Sequence, residues 1–495
     1  MTDFPILSLL VFLPLAGGLL LIPFWKNEGA AKGIALFTSF VELILSIWAY
    51  AKTPHLFPID PTTGGYFLSE DLEWISRFGI RYTLGMDGIS LLLTMLTAFT
   101  VVIAMLVARR GVTRKVALHY LLILFMETGI IGVFLSLDLF LFYLFWEVML
   151  IPMFFLIGIW GTGRPIYSTI KFFLYTMVGS LLMLLAIIGL YLIHGAENGV
   201  YTFSLAGLVH TSLTPAASFW LFAAFLLAFA IKVPIFPLHT WLPDAYTDSS
   251  ITGTLLMSAL MAKTGAYGLI RFAYPLFPDA AARFTPLIMA LAVAGIIYGS
   301  WIAYAQRDMK RLIAYSSFGH MGFIVLGIAA WTPVALSGAV LQMVNHGITT
   351  GAIFAMIGML EVRSGTRDSG AFGGMWGKVP VFSFFFLLFS MASAGLPGLN
   401  NFTGEILILI GSFRVAQLPV VLAYLGIILP LIYTVRLLQD LLFGKETREW
   451  GMGDLSKGEG AFLAVMAFFV VYLGVHPGPV LNLLKAPVSL LTGIR

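Results

Sequence analysis

The sequence predicts an all-α integral membrane protein, and three observations carry that class. Of 495 residues, 59% are hydrophobic and 11% charged, where a soluble domain has about 45–50% and about 25%. Mean hydropathy is +0.96. The apolar residues also fall into long runs that are apolar on every side. A crossing helix needs about 20 such residues, so there is material for about fourteen transmembrane helices. A transmembrane barrel would instead alternate apolar and polar residues in short units. Soluble enzymes, DNA binders and peripheral proteins are excluded on the same grounds.

In order, the expected spans are 4–24, 33–51, 89–108, 116–135, 137–160, 167–193, 217–239, 251–270, 285–305, 312–330, 334–361, 379–411, 419–443 and 459–478. Lipid cannot satisfy backbone groups, so each is read as a helix. The first carries Asp3 where a signal peptide would be basic, so it is expected to be retained. The connection 52–88 is the largest polar one, with Glu70, Asp71, Glu73, Arg77, Arg81 and Asp87. The tail after 479 is too short to cross again and is expected to lie along the interface. One set of alternate loops holds 17 Lys and Arg and the other 8. The richer set is predicted to be cytoplasmic, which leaves both termini facing outward.

No cysteine is present. Disulfides, cysteine-ligated iron–sulfur clusters and thiolate zinc sites are therefore excluded. There is no P-loop, and Gly158, Gly161 and Gly163 follow a span rather than a strand, so they form no dinucleotide fingerprint.

The informative residues are charges inside spans, each costing at least about 2.5–3.5 kcal/mol at mid-bilayer. They are Lys232, Lys263, Glu147 and Glu405, with Glu42 and Glu127. Arg436 and Asp440 are read as a snorkelling i,i+4 pair near a span end. Two helices, the seventh and the twelfth, are predicted to be discontinuous. Pro234 and Pro237 follow Lys232; Gly395, Pro397, Gly398, Asn400 and Asn401 precede Glu405. Broken helices at membrane depth surround protein or polar cavities. Matched breaks five spans apart suggest inverted repeats.

Glu147, followed by Pro152, is the natural counter-charge for Lys232. Burial and pairing push such groups in opposite directions, so the pair can switch protonation near pH 7. Lys263 could receive the proton. His320 and His346 extend a lateral polar row toward Glu405; relay groups, packed core histidines and haem ligands all remain open for them. His239, beside Pro237, is a weaker candidate for the path from the cytoplasmic side to Lys232.

These stretches resemble the antiporter-like proton-translocating subunits of respiratory complex I. They are Phe-Trp-Glu147 with Ile-Pro152, the run from Lys232-Val-Pro through His239-Thr-Trp-Leu-Pro-Asp-Ala, Met-Ala-Lys263-Thr-Gly, Asp308-Met-Lys-Arg-Leu-Ile-Ala-Tyr-Ser-Ser and Gly404-Glu405. They cover about 137–411. The resemblance implies two inverted five-helix repeats and one proton channel. The implied division is an N-terminal three-helix region at 1–115, a first repeat at 116–275, an inverted second repeat at 284–443, and a final helix and tail at 444–495. Carried over by position, Glu147 and Lys232 are the input pair, Lys263 the central relay, His320 and His346 the connecting groups and Glu405 the output. The family's chains L and N usually carry lysine where Glu405 stands, so within the resemblance Glu405 sets this chain apart from them.

The resemblance further implies a subunit of a translocase in the bacterial inner membrane, beside chains L and N, with lipid and protons as its other partners. NADH, FMN, iron–sulfur clusters and quinone are expected on partner subunits, and no cofactor, metal or redox chemistry in this chain. Alternatives are a subunit of a cation/proton antiporter or a membrane-bound hydrogenase, and a haem-bearing electron carrier.

Overall fold

The computed structural model describes residues 4–52, 65–445 and 453–493. Asp3 and the first part of the 52–88 connection lie outside them. Among the described residues, eleven helices are long and apolar enough to cross a membrane. Ile6–Leu19 and Pro380–Ser393 are shorter apolar helices.

Helix ends follow from local chemistry. Pro165–Asn198 and Pro333–Ser364 each start on proline and stop before a left-handed glycine, Gly199 (φ 70°) and Gly365 (φ 73°). Proline lacks the N–H that a first turn leaves unbonded, and glycine adopts positive φ without a Cβ clash. Asp87 and Ser456 open Gly88–Gly111 and Lys457–Val475 with reciprocal capping boxes. The tail forms a helix, Gly478–Thr492.

Hydropathy leaves one element out. Leu68–Ile75 and Ile80–Met86 pair as an antiparallel hairpin within the polar connection. The Arg81 guanidinium donates two 2.8 Å bonds to Asp71 and holds its carboxyl below the usual range. Glu70 accepts from the backbone N–H of Leu7 (2.6 Å) and Ser8 (3.1 Å), so the hairpin caps the start of Ile6–Leu19.

Tertiary contacts gather the chain into two units. The first is Met1–Val233, Leu260–Thr285 and Leu483–Arg495; the second is Pro234–Ala259 and Pro286–Asn482.

The helical run Ile251–Leu276 contains two π turns, Met257–Met261 and Leu269–Ala273, the second of them within the first unit. The segment expected at 251–270 leaves Arg271 in a loop; the structure buries it in that second π turn, 4% exposed. Its guanidinium pairs with Asp87 and donates to Tyr267 (3.1 Å), whose hydroxyl donates to the Phe134 carbonyl at 2.7 Å. A buried guanidinium persists only with such partners.

In the second unit, the Asp308-Met-Lys-Arg stretch has a structural task. Asp308 caps Met309–Ala330, and Lys310 Nζ donates to the Ser249 carbonyl at 2.7 Å. Arg311 meets Asp244 at 3.2 Å and Arg367 donates to the Thr247 carbonyl at 2.8 Å. Three cations thus hold Trp241–Asp248, two of them on carbonyls at its C-terminal end, where helix carbonyls lack partners.

Arg436 and Asp440 do not form the expected i,i+4 pair among the described residues. Arg436 donates to the Tyr304 carbonyl (3.2 Å) and stacks over its ring at 4.8 Å. The helix becomes a π turn at Gln439–Phe443. With its guanidinium held by Tyr304, Arg436 makes no ion pair with Asp440 among the described residues.

Candidate functional site

Ionisable side chains meet helix interruptions in both units. In the first, Pro215–Lys232 stops at Lys232, earlier than the 217–239 span expected. Val233 donates the last helical bond, to Phe229. Pro234 has no N–H to continue it. Lys232 therefore occupies the last turn, where the helix dipole favours a cation. It is 1% exposed. Its ammonium lies 5.2 Å from the Trp146 ring centre and 5.7 Å from that of Phe172, and has no hydrogen-bond partner among the described residues. Two aromatic faces attract the cation without fixing its protons.

Glu147 is the carboxylate that acts electrostatically on Lys232. It is half-buried rather than enclosed. It stands at the end of Leu139–Val148, directly before a break at Met149 and the next helix, Leu150–Trp160. Pro152 cannot bond the Val148 carbonyl, which accounts for the break. Helix 116–135 comes close here because it carries glycine: a Cβ at Gly129 would sit 2.9 Å from the Met149 nitrogen.

Lys263 is fully buried and follows the first π turn of its helix, a feature frequent at functional sites. Its helix packs onto the end of Pro215–Lys232 through Gly265. A Cβ there would meet Val233 Cγ2 at 2.8 Å and Lys232 Cβ at 3.1 Å. The structure thus brings Glu147, Lys232 and the Lys263 helix together. Glu42 and Glu127 are also buried in this unit and act on one another; none of their four carboxyl oxygens has a hydrogen-bond partner among the described residues.

In the second unit, Pro380–Ser393 and Asn400–Phe413 are separated by residues 394–399. Gly395 (φ 77°) and Gly398 (φ 91°) take left-handed conformations there that other residues resist. The second half-helix carries Glu405, 1% exposed. Glu405 Oε1 lies 2.8 Å from His320 Nδ1 and accepts from Gln342 Nε2 at 3.0 Å. Three helices supply this set: Met309–Ala330, Pro333–Ser364 and Asn400–Phe413.

Glycine is what brings Gln342 within reach. A Cβ at Gly404 would sit 2.9 Å from Gln342 Cβ, and one at Gly338 would sit 2.8 Å from the Ile408 nitrogen. Small residues let membrane helices approach this closely. The restart of the broken helix is pinned by Asn345, which donates to the Asn400 carbonyl (2.6 Å) while Asn400 donates to the Asn345 carbonyl (3.0 Å). The His346 ring centre lies 5.8 Å from that of His320. His239, also in this unit, stacks on Phe318 at 4.2 Å with Tyr298 and Phe236 nearby.

Gln342 and Asn345 are the site residues that sequence reading missed. Gln342, Asn345 and His346 share one face of an otherwise apolar helix, an i, i+3, i+4 signal that was legible.

A family profile described as NADH:quinone oxidoreductase/Mrp antiporter, TM, matches residues 136–429. The chain belongs to this family. It is 41% identical to NADH-quinone oxidoreductase subunit M of Pseudomonas aeruginosa, over 97% of this chain and 96% of that one. It is 37% identical to the Escherichia coli K12 subunit M, over 96% of each. Among solved structures it matches a chain of respiratory complex I from Thermus thermophilus, with a TM-score of 0.86, 32% identity, and 98% and 99% of the two chains covered. The family match spans both helix breaks and every candidate site residue.

Proposed function

We propose that this chain is the M-type proton-translocating membrane subunit of an NADH-quinone oxidoreductase, moving protons through a buried Glu/Lys/His relay while quinone is reduced elsewhere in the complex. The observation that carries the relay is the His320–Glu405–Gln342 set at a helix break, in a chain with a second ionisable group, Lys232, at another break. A buried carboxyl bonded to an imidazole is a group that can pick up and release a proton. In this reading Glu147 and Lys232 take up the proton and Lys263 passes it on. His320 and His346 connect, Glu405 releases it, and His239 lies on the entry path.

The repeats at 116–275 and 284–443 each supply an interrupted helix with an ionisable group, and neighbouring chains L and N complete the membrane assembly. NADH, FMN, iron–sulfur clusters and quinone belong to partner subunits.

An affinity tag on this chain tests the reading. It is expected to recover NADH-oxidising partners, while the chain stripped of them oxidises no NADH. Sodium/proton exchange by a purified assembly lacking electron-transfer subunits would instead mark a cation antiporter.

Orientation follows the basic residues. Counting Arg271 and Lys310 as buried, the loops hold 17 − 1 = 16 against 8 − 1 = 7. The richer side is assigned to the cytoplasm of a bacterial cell, with both termini outward. A cysteine replacing Thr113 is expected to react only with reagent from the cytoplasmic side. Labelling only from outside would reverse the assignment.

A further inference from the structure

On the basic face of the second unit lies a cavity of about 410 Å³ that the relay above does not use. Its charged lining is Arg307, Arg436, Asp440 and Lys445, and Tyr433 forms part of its wall. Tyr433 is 2% exposed, and its hydroxyl donates to Ser316 Oγ at 2.7 Å. Ser316 precedes His320 by four residues on the same helix, so the two share a face. The same hydroxyl lies in the electrostatic field of Glu405. His320 Nε2 is buried with no hydrogen-bond partner among the described residues, while its Nδ1 is bonded to Glu405. Polar groups thus run in one direction, from the cavity wall to the carboxyl.

Resting on the function proposed above, we infer that Tyr433 and Ser316 form a second proton entry, from the basic-face cavity directly to Glu405. A proton arrives at Tyr433 Oη as that oxygen gives its own to Ser316 Oγ. Ser316 passes its hydrogen toward His320 across one helical turn, about 6 Å of rise, which a single water bridges. Nε2 gains this proton as Nδ1 gives its own to Glu405 Oε1. The imidazole begins and ends neutral, with its tautomer exchanged, and Glu405 becomes a carboxylic acid. No bond other than O–H and N–H changes. Hydroxyl rotation and return of the imidazole tautomer reset the path.

This chain has no native cysteine, so a single introduced thiol, read against the parental complex treated in the same way, tests the cavity. Gly370 lines it, and the only atom near a Cβ added there is Asp368 Oδ1, at 3.5 Å, so Gly370→Cys fits. The assembled complex carrying Gly370→Cys, in vesicles, is treated on the basic face with a bulky neutral thiosulfonate. NADH-driven pumping per electron is then measured before and after reduction of the adduct.

The adduct is expected to lower pumping by up to about twofold, reversibly, since it closes one of two proton-transfer routes to Glu405 and leaves the Glu147–Lys232 entry open. Tyr433→Phe and Ser316→Ala should show a similar loss, and Ser316→Thr, which keeps the hydroxyl, should retain pumping. Full pumping by the labelled Gly370→Cys complex overturns the inference. So does a thiol that stays unreactive in the complex because a partner or lipid covers it. If Tyr433→Phe fails to assemble, the adduct decides, because it is formed after assembly. Loss in Glu405→Gln with parental pumping in the adduct defeats this entry alone. Parental pumping in Glu405→Gln defeats the proposed relay itself.

Discussion

Glu405→Gln is expected to lower proton pumping by about 100-fold or more on the release step, the range for removing a positioned acid–base group. The fold should survive. Glu405 Oε1 is the atom that meets both His320 and Gln342, and a glutamine carbonyl can accept from both. What disappears is ionisation. Glu405→Lys sharpens the test. It keeps a titratable group but reverses the sign of its charged form, and it loses the acceptor for His320 and Gln342. If titration alone matters, it should outperform Glu405→Gln; if a negative charge must stabilise protonated neighbours, it should be as poor. The measurement is protons per electron in assembled complexes reconstituted in vesicles. Wild-type stoichiometry in Glu405→Gln would remove this carboxyl from the path.

Glu147→Ala should cause a loss of similar size, with quinone reduction falling as well if coupling is tight. Lys232 has no hydrogen-bond partner among the described residues and two aromatic rings around its ammonium. Glu147 is the carboxylate whose charge supports it. Without that charge the ammonium loses its supporting carboxylate, and the site no longer gains a proton on cue. Glu147→Asp should keep part of the function, since the charge stays while its reach shortens. Lys232→Arg then separates a switch from a static pair. Arginine holds its charge throughout the accessible pH range, so a structural pair tolerates it and a relay does not. Normal pumping in Glu147→Ala or Lys232→Arg, with the complex assembled, would leave the pair structural.

The breaks were legible because proline and glycine act locally. Pro234 ends a helix whatever surrounds it, and Gly395 and Gly398 take backbone angles that other residues avoid. The intramembrane charges were legible because each is costly wherever it points. Arg271 was not, because it stands at the end of its apolar run, and sequence cannot see the Asp87, Tyr66 and Tyr267 that hold it inside the helix. The Arg436–Asp440 pair failed for a related reason. Sequence spacing cannot see that Tyr304, on another helix, holds the Arg436 guanidinium.

Sequence by itself thus determined the membrane class, the helical nature of the apolar segments, the interruptions after Lys232 and before Glu405, and the identity of the charged groups. All of these depend on composition along the chain. Only the tertiary structure decided which neighbour each polar group faces. Most of these helices are apolar on every side, so apart from a stripe such as Gln342, Asn345 and His346 hydropathy does not reveal which side turns inward. Gln342 reaches Glu405 because Gly404 and Gly338 let two backbones approach, and Tyr433 reaches Ser316 across 117 residues of sequence separation. Contacts of that kind are set by the rotation and spacing of packed helices, which a linear pattern of hydropathy does not encode.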